Sequence, residues 1–406
     1  MQFTQKVESI SPVRGIMSEF SWGGDKMAWH LTEEQKMIQA MVRDFARSEV
    51  MPSAAERDRT CEFPQEIIKK MGELGLMGMN VPPEYNGAGV DTVSYSVALQ
   101  EIAYADASTA VIMSVHNSVA CGPIYLFGSD YLKETYLKPL AAGEKLGCFA
   151  LTEPSAGSDP ASQKTRAVRD GDSYIINGTK MFITSGKNSD LTVVTAYTDK
   201  EKRHRGISAF VVEKGTPGFH VGKEEEKMGL RSSDTTELIF EDCRVPAQNL
   251  LGNEGDGFLI AMASLDGGRI GIASQSVGLA QACLDAAIAY AKERVQFNKP
   301  ISQFQGIRWM IADMATQIEA ARLLTFNAAA MRDRGENFTA AASMAKVFAS
   351  EMANRVAYQA LQIHGGYGYT KEFPVERYYR DARVLTIYEG TSEIQRRVIA
   401  RHLIGK

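Results

Sequence analysis

A basic surplus, long hydrophobic runs and paired cysteines are all missing from this sequence of 406 residues. Its 45 Lys and Arg residues against 49 Asp and Glu residues give a formal net charge of −4, whereas a nucleic-acid-binding protein usually carries excess positive charge. No apolar run approaches the roughly 18–20 residues that a membrane-spanning helix needs. We therefore expect neither a nucleic-acid partner nor a membrane span.

The five cysteines are scattered and form no CxxC pair; they are Cys61, Cys121, Cys148, Cys243 and Cys283. An odd, dispersed set indicates neither a disulfide framework nor a zinc ribbon. The six histidines are equally scattered, so no metal site is expected. This composition fits a reducing compartment.

Residues 1–27 contain no apolar segment of the kind found in secretory signal peptides. Their acidic residues and single arginine, Arg14, are also weak evidence for an organellar transit peptide. We expect a disordered extension or leader here, with the folded chain beginning near Trp29.

Residues 28–148 have the hydrophobic spacing of a helical domain. Thr32 is a predicted N-cap, since Gln35 follows it at the spacing of a capping box. The proline and glycine residues at 81–89 predict a loop, and an apolar, alanine-rich helix is expected over residues 97–119.

Residues 149–257 change to a period of two, which predicts a small antiparallel β domain. Asn177-Gly178 stands between two β-prone runs and predicts a hairpin turn. Further strands are predicted at residues 191–197, 207–212 and 238–240.

Residues 258–406 are helical again, with apolar positions every three or four residues. Long antiparallel helices predict a bundle, and the width of their apolar faces indicates packing against another subunit. The order helices, β domain, helices predicts an α+β fold without a dinucleotide-binding GxGxxG segment.

Three segments are candidates for chemistry, and each also has a plain structural interpretation. The loop at residues 151–159 offers hydroxyls and backbone N–H groups to a phosphate or a polar ring, or is simply a turn. The glycines at 365–368 either end a helix or let backbone approach a bulky ligand. His364 alone is more often a packed imidazole than a catalyst.

Glu389 lies in the third segment, just before a terminal helix that Thr391 or Ser392 would cap. A carboxylate partly desolvated there would have a raised pKa and serve as a general base. The local pattern by itself favours a surface acid near the helix dipole. Arg269, at a predicted helix start, and Arg294 would each bind a phosphate or carbonyl, or form helix-end ion pairs.

Six segments in this order resemble the acyl-CoA dehydrogenase family from Trp29 to the end of the chain. They are residues 148–159, 177–184, 265–269, 293–297, 362–368 and 387–395. The resemblance implies a flavoprotein oxidoreductase of fatty acid β-oxidation. It also implies an N-terminal helical domain, a central antiparallel β domain and a C-terminal four-helix bundle, usually assembled as a homotetramer.

The resemblance further implies a site for FAD and acyl-CoA. The flavin would be lined by Phe149, Leu151, Thr152, Gly157, Ser158, Phe182, Ile183 and Thr184, and completed by Thr391, Ser392 and Glu393. Its pyrophosphate and adenosine part would be held, from a neighbouring subunit, by Arg294, Gln305, Gln362, Ile363, Gly365 and Gly366. Acyl-CoA would contact Ser158, Asp266, Arg269 and Gly390.

Glu389 is the base that the resemblance implies, because the alternative position used by some members is Gly268 here. It would take the α-proton of a short-chain acyl-CoA while hydride passes from the β-carbon to flavin N5, giving trans-2-enoyl-CoA. An electron-transferring flavoprotein would reoxidise the flavin. Branched-chain (isobutyryl or 2-methylbutyryl) and cyclic acyl-CoA substrates remain alternatives, as does, remotely, a non-catalytic or DNA-binding member.

An oxidase of the same architecture is a further alternative, although such chains typically carry an extra helical domain. A bacterial source would place the enzyme in the cytoplasm, and a eukaryotic source in the mitochondrial matrix.

Overall fold

The computed structural model describes residues 29–405, so the expectation of a disordered extension at 1–27 lies outside the described residues. Helices, a β-sheet and again helices follow one another along the chain, as the sequence predicted. All five cysteines are free. Within residues 29–405, no group of three or more His, Cys, Asp or Glu side chains is placed to hold a metal ion.

The N-terminal region is helical. Its helices are α1 Glu33–Phe45, α2 Met51–Thr60, α3 Gln65–Glu73, α4 Thr92–Ala105, α5 Ala107–Val115, α6 Gly122–Phe127, α7 Asp130–Leu132 and α8 Lys138–Ala141. The π-helical turns Ala46–Val50, His116–Cys121 and Lys133–Leu137 join α1 to α2, α5 to α6 and α7 to α8. Thr32 and Gln35 form the predicted capping box at the start of α1.

The single helix expected over residues 97–119 is wrong, because the chain breaks at Asp106. This residue is extended, with φ of −158°, and its carboxylate accepts hydrogen bonds from the backbone amides of Ser108 and Thr109. The same carboxylate pairs with the buried Arg57 of α2 at 2.9 Å. A capping aspartate therefore starts a new helix where hydrophobicity alone predicted continuity.

The central region is one mixed sheet rather than an antiparallel one. Its strands are β1 Gly147–Ala150, β2 Arg166–Asp170, β3 Ser173–Thr184, β4 Leu191–Tyr197, β5 Ile207–Glu213, β6 Phe219–Glu224, β7 Thr235–Pro246 and β8 Leu250–Leu251. The order is β6-β7-β3-β2-β4-β5-β8, and β1 pairs with β4. Most neighbours are antiparallel, but β4 pairs in parallel with both β1 and β2.

The predicted hairpin at Asn177-Gly178 is also wrong, because both residues lie inside the long strand β3. Pairing with β7 continues on either side of a register shift between Ile176 and Gly178. The side chain of Asn177 bonds to Asp242: the backbone N–H of Asp242 donates to Asn177 Oδ1 at 2.9 Å. A Cβ built on Gly178 would lie 2.4 Å from Thr165 Oγ1, so this glycine permits close packing rather than a turn.

The C-terminal region is a helical bundle. Its helices are α9 Gly257–Glu293, α10 Gln305–Asp333, α11 Thr339–His364, α12 Val375–Ala382 and α13 Ser392–Ile404. A short ribbon of β9 Val295–Gln296 and β10 Lys299–Pro300 connects α9 to α10. α11 contacts α9, α10 and α13, which together form the four-helix bundle. The sequence predicted Arg269 at the start of a helix. This is wrong, because α9 begins at Gly257 and Arg269 lies well inside it.

The largest apolar core joins the N-terminal helices α4 and α5 to the bundle around α9. Two helical stretches, Ala107–Phe127 and Gly257–Glu293, are long and apolar enough to cross a membrane by length and composition alone. This corrects the expectation that no segment approaches that length. In each, 72% of the tested window is buried inside the protein, as in a core helix.

Candidate active site

Glu389 lies in the loop before α13, and its carboxylate is enclosed by protein. The residue as a whole is partly accessible, but both carboxylate oxygens are buried, and neither has a hydrogen-bond partner among the described residues. Burial raises the pKa of Glu389 to about 7, and the positive charges of Lys346 and Arg269 limit the rise. The interpretation as a surface acid is therefore wrong, and the carboxylate has the environment that a general base needs.

A glycine of α9 makes room for this carboxylate. A Cβ atom built on Gly268 would lie 2.0 Å from Glu389 Oε2, far inside any allowed contact. Glycine inside a helix costs about 0.5–1 kcal/mol relative to alanine, so α9 is less stable because Gly268 leaves this space for the carboxylate. Position 268 and Glu389 compete for one volume, as expected if a base can be supplied from either place.

We expect Gly268→Ala to lower kcat/KM for an acyl-CoA about 10²-fold, because the added methyl group displaces the carboxylate by about 1 Å or more. Steady-state kinetics measures kcat/KM for this variant and for Gly267→Ala, which is the control. At Gly267 an added Cβ would meet only the Arg332 guanidinium, at 3.5 Å, which is an ordinary contact. Equal kcat/KM values for the two alanine variants would contradict the placement of the carboxylate against Gly268.

Asp266 and Arg269 bond to each other one turn apart in α9. Arg269 Nη1 donates to Asp266 Oδ1 and, at 3.4 Å, to Ser343 Oγ of α11. Asp266 Oδ2 accepts a hydrogen bond of 2.6 Å from Thr339 Oγ1. Within this chain Arg269 thus forms the ion pair that sequence reasoning kept open, and a contact of either residue with acyl-CoA stays a prediction.

Donors from two helices hold the peptide after Glu389. Gln395 Nε2 of α13 donates to the carbonyls of Glu389 at 3.1 Å and Gly390 at 2.9 Å. Lys346 Nζ of α11, on a fully buried side chain, donates to the same Gly390 carbonyl at 2.7 Å. Thr391 caps α13, as predicted. Sequence reasoning missed Lys346 and Gln395 as functional candidates, since nothing in the local pattern marks a lysine or glutamine as buried.

The two residues after the cap differ in exposure. Ser392 is buried, and its hydroxyl has no partner among the described residues, whereas Glu393 is exposed in the first turn of α13. The unpartnered hydroxyl leaves a donor available to a ligand at this helix end.

A buried ion pair anchors the loop from Leu151 to Ser158. Lys180 Nζ lies 2.8 Å from Glu153 Oε1, with both side chains almost fully buried. It also donates to the Leu151 carbonyl at 3.0 Å and to Gln163 Oε1 at 2.8 Å. Burial lowers the pKa of Lys180 to about 8, although the Glu153 carboxylate opposes this. Lys180 lies in the segment 177–184, which carried part of the family resemblance. That resemblance was the only feature of the sequence that pointed to Lys180.

Phe182 presents an aromatic ring beside this loop. The Met181 N–H donates to the Thr152 carbonyl at 2.8 Å, which ties the end of β3 to the loop. Phe182 has a left-handed φ of 59°, and the residue is 59% exposed. The next residues, Ile183 and Thr184, are buried and half-buried. A large exposed ring on constrained backbone suits contact with a flat ligand.

Some of the remaining predicted residues line a groove with a volume of about 540 Å³. Of the predicted residues, those that line it are Arg294, Ile363, Gly365 and Gly366. Cβ atoms built on Gly365 and Gly366 would meet nothing within 4 Å, so backbone is open to a ligand there. Gln305, the first residue of α10, and Gln362, near the end of α11, are exposed outside the lining.

His364 is a packed imidazole, as the sequence favoured. Its Nδ1 lies 2.8 Å from the Ala360 carbonyl, and its ring stacks on Tyr290 with centroids 4.3 Å apart. Burial lowers the pKa of His364, which keeps the ring neutral and in place.

The two sets of residues fit the two ends of FAD. The exposed ring of Phe182 and the open space at Gly157, where a Cβ would meet nothing within 4 Å, suit the flavin ring. The Arg294 cation and the two open glycines suit a pyrophosphate.

Three domain models of the acyl-CoA dehydrogenase family match the chain in order. The N-terminal domain matches residues 32–144, the middle domain residues 148–243 and the C-terminal domain residues 255–404. Together they cover most of the chain.

Characterised relatives and solved structures are similar over nearly the whole length. The chain is 54% identical to an acyl-CoA dehydrogenase of Bacillus subtilis, over 93% of this chain and 99% of that protein. It is 53% identical to the mitochondrial short-chain specific acyl-CoA dehydrogenase of Mus musculus, over 92% of this chain and 91% of that protein. The structure of butyryl-CoA dehydrogenase from Megasphaera elsdenii matches with a TM-score of 0.92 and 46% identity, covering 93% of this chain and 100% of that chain.

A second solved chain, from a study of the electron-transferring flavoprotein of Acidaminococcus fermentans, also matches with a TM-score of 0.92. Its identity is 50%, and the match covers 94% of this chain and 100% of that one.

Proposed function

This chain belongs to the acyl-CoA dehydrogenase family, as its sequence motifs predicted, and we propose that it oxidises a short-chain acyl-CoA to the trans-2-enoyl-CoA. The observation that carries the proposal is the Glu389 carboxylate, buried without a hydrogen-bond partner against Gly268. A short acyl group is supported by the similarity to relatives named for short-chain and butyryl substrates.

Glu389 is the general base in this proposal. A thioester α-proton is weakly acidic, so a carboxylate in water would remove it slowly. Enclosure raises the pKa of Glu389 to about 7. The difference between this pKa and the pKa of the α-proton is then smaller, which favours proton transfer to Glu389. The proton moves from the α-carbon to a Glu389 carboxylate oxygen as the α,β double bond forms.

The backbone N–H of Glu389 is a donor for the thioester oxygen. No described residue accepts a hydrogen bond from this N–H. Glu389 has a left-handed φ of 50° and lies outside any helix or strand, so its amide is not used in regular secondary structure. A donor fixed before reaction stabilises the negative charge that develops on the thioester oxygen as the α-proton leaves.

FAD is the cofactor in this proposal, and when bound it supplies the acceptor for the hydride that leaves the β-carbon. The loop at 151–158 and the segment Phe182–Thr184 would hold its ring, with Thr391, Ser392 and Glu393 at the N-terminus of α13. The buried pair of Lys180 and Glu153 fixes the conformation of that loop. Electrons would then pass to an electron-transferring flavoprotein.

A neighbouring subunit would supply the groove at Arg294 to the same cofactor, in a homotetramer. Large side chains left exposed on this chain support such packing; they include Phe297 at 87%, Trp309 at 61% and Tyr358 at 57%. The free cysteines fit a reducing compartment, either the bacterial cytoplasm or the mitochondrial matrix.

The visible absorbance of the purified protein tests this function. We expect a yellow protein whose flavin band near about 450 nm bleaches within the mixing time when butyryl-CoA is added without oxygen. A yellow protein that ignores butyryl-CoA but bleaches with isobutyryl-CoA or a cyclic acyl-CoA would move the substrate class. A protein that cannot be reconstituted with FAD, or whose reduced flavin rapidly forms peroxide in air, would overturn the proposal.

A further inference from the structure

Lys346 is a buried lysine without a carboxylate partner. It lies near the middle of α11, and its side chain has no exposed area. Its one hydrogen bond among the described residues goes to the Gly390 carbonyl, at 2.7 Å, and none of the ion pairs of residues 29–405 includes it. Burying an ammonium group is costly, so a lysine placed this way has a use beyond packing.

The peptide that Lys346 contacts is the one that carries Glu389. Glu389 and Gly390 both have left-handed backbone, with φ of 50° and 92°. Gln395 Nε2 donates to the same Gly390 carbonyl at 2.9 Å. A charged donor and a neutral donor thus converge on one oxygen and fix an unusual backbone conformation directly beside the base.

Lys346 also faces Glu389 electrostatically. Burial lowers the pKa of Lys346 to about 8, while the Glu389 carboxylate acts to raise it, and Arg269 of α9 acts to lower it. Glu351 of α11 and Glu393 of α13 are the other carboxylates that face the ammonium. Around Glu389 itself, the cations are Lys346 and Arg269.

We propose that Lys346 is a positioning residue for Glu389: its ammonium group holds the Gly390 carbonyl and supplies the positive charge that keeps the buried carboxylate ionised before substrate binds. This inference rests on the proposed role of Glu389 as the base. Gln395 shares the first task but, being neutral, has no part in the second.

The test compares pH profiles of kcat/KM for butyryl-CoA in the unmodified enzyme and four variants. The acid limb of the profile reports the ionisation of the base in the free enzyme. Lys346→Met and Lys346→Gln remove the charge, and we expect their acid limbs to move about one unit to higher pH. Lys346→Arg keeps the charge and leaves the limb near its original position. Gln395→Met lowers kcat/KM by a similar factor at every pH.

Two results would overturn the inference. One is an acid limb that stays in place in both neutral variants, and the other is an equal shift in Lys346→Arg. Lys346→Gln can still donate to the Gly390 carbonyl, so it remains informative if Lys346→Met does not fold. The proposed function fails separately, because then the unmodified enzyme would not oxidise an acyl-CoA or Glu389→Gln would remain active.

Solvent exchange provides a second readout of the base alone. In deuterated buffer, Glu389 should exchange the α-proton of bound acyl-CoA, which mass spectrometry of the recovered thioester measures. The exchange reports the base in the enzyme–substrate complex, and we expect the pH at which it is half-maximal also to rise in Lys346→Met. Unchanged exchange in that variant would also contradict the inference.

Discussion

Glu389→Gln abolishes turnover of butyryl-CoA while FAD and the acyl-CoA still bind. The change keeps the size of the side chain but removes the carboxylate that we propose accepts the α-proton. General bases contribute about 10²–10⁴-fold, and without one the weakly acidic α-proton has no acceptor, so we expect kcat to fall at least about 10³-fold. Stopped-flow bleaching of the flavin band and titration with the enoyl-CoA product measure the two parts of this result.

The same substitution has a pH-dependent effect on stability, and its sign follows from the raised pKa. Burial holds the pKa of Glu389 at about 7, above its usual 4.5, so the folded state prefers the protonated acid. Its favourable contribution is complete below pH 4.5 and is lost as the pH rises through 7. Glu389→Gln should therefore raise the thermal midpoint at pH 8 and change it little at pH 4.5.

Glu336→Gln is the matched control, because it makes the same chemical change at an exposed carboxylate. Glu336 pairs only with its neighbour Arg334 on the surface. We expect unchanged turnover and little change in thermal midpoint at either pH. Glu389→Gln that keeps most of its activity would remove Glu389 from the mechanism. A stability change like that of Glu336→Gln would contradict the raised pKa of Glu389.

The sequence predicted those parts of the fold that depend on nearby residues. The capping box at Thr32, the cap at Thr391 and the packed ring of His364 each follow from side chains within a few positions. Two of the errors in element boundaries have identifiable causes, one local and one from a distant strand. Asp106 prefers to cap a helix rather than sit within one, and long pairing with β7 overrides the turn preference of Asn177-Gly178.

The site could be predicted only in part, because burial is set by distant segments. Local pattern placed Glu389 on the surface, whereas in the fold α9 approaches it at Gly268 and its carboxylate is buried. The family motifs identified the glutamate but did not show why it is a strong base. Lys346 and Lys180 were invisible as buried cations, since a lysine in a helix or strand normally extends into water.

The second large effect is expected at Lys180, through the shape of the flavin-facing loop. Lys180→Met leaves the Glu153 carboxylate buried without its cation and removes donors from the Leu151 carbonyl and Gln163. Breaking a buried ion pair on one side costs about 3–5 kcal/mol, because the remaining charge stays uncompensated. We expect a thermal midpoint lowered by many degrees and FAD that dissociates on gel filtration. Lys187→Met is the control, since Lys187, in the turn after β3, pairs with Glu224 on the protein surface.

A double substitution separates charge from shape at this site. In Lys180→Met with Glu153→Gln, no unpaired charge remains, and the single amide oxygen can still accept a hydrogen bond from one of the two backbone amides, Lys164 or Thr165, that donate to separate oxygens of Glu153. If the uncompensated carboxylate causes the loss, the double variant recovers much of the thermal midpoint of the unmodified enzyme. If the lost contacts to Leu151 and Gln163 cause it, the double variant is no more stable than Lys180→Met. In either case a Lys180→Met protein as stable as Lys187→Met, with FAD fully retained, would show that the loop keeps its shape without the buried pair.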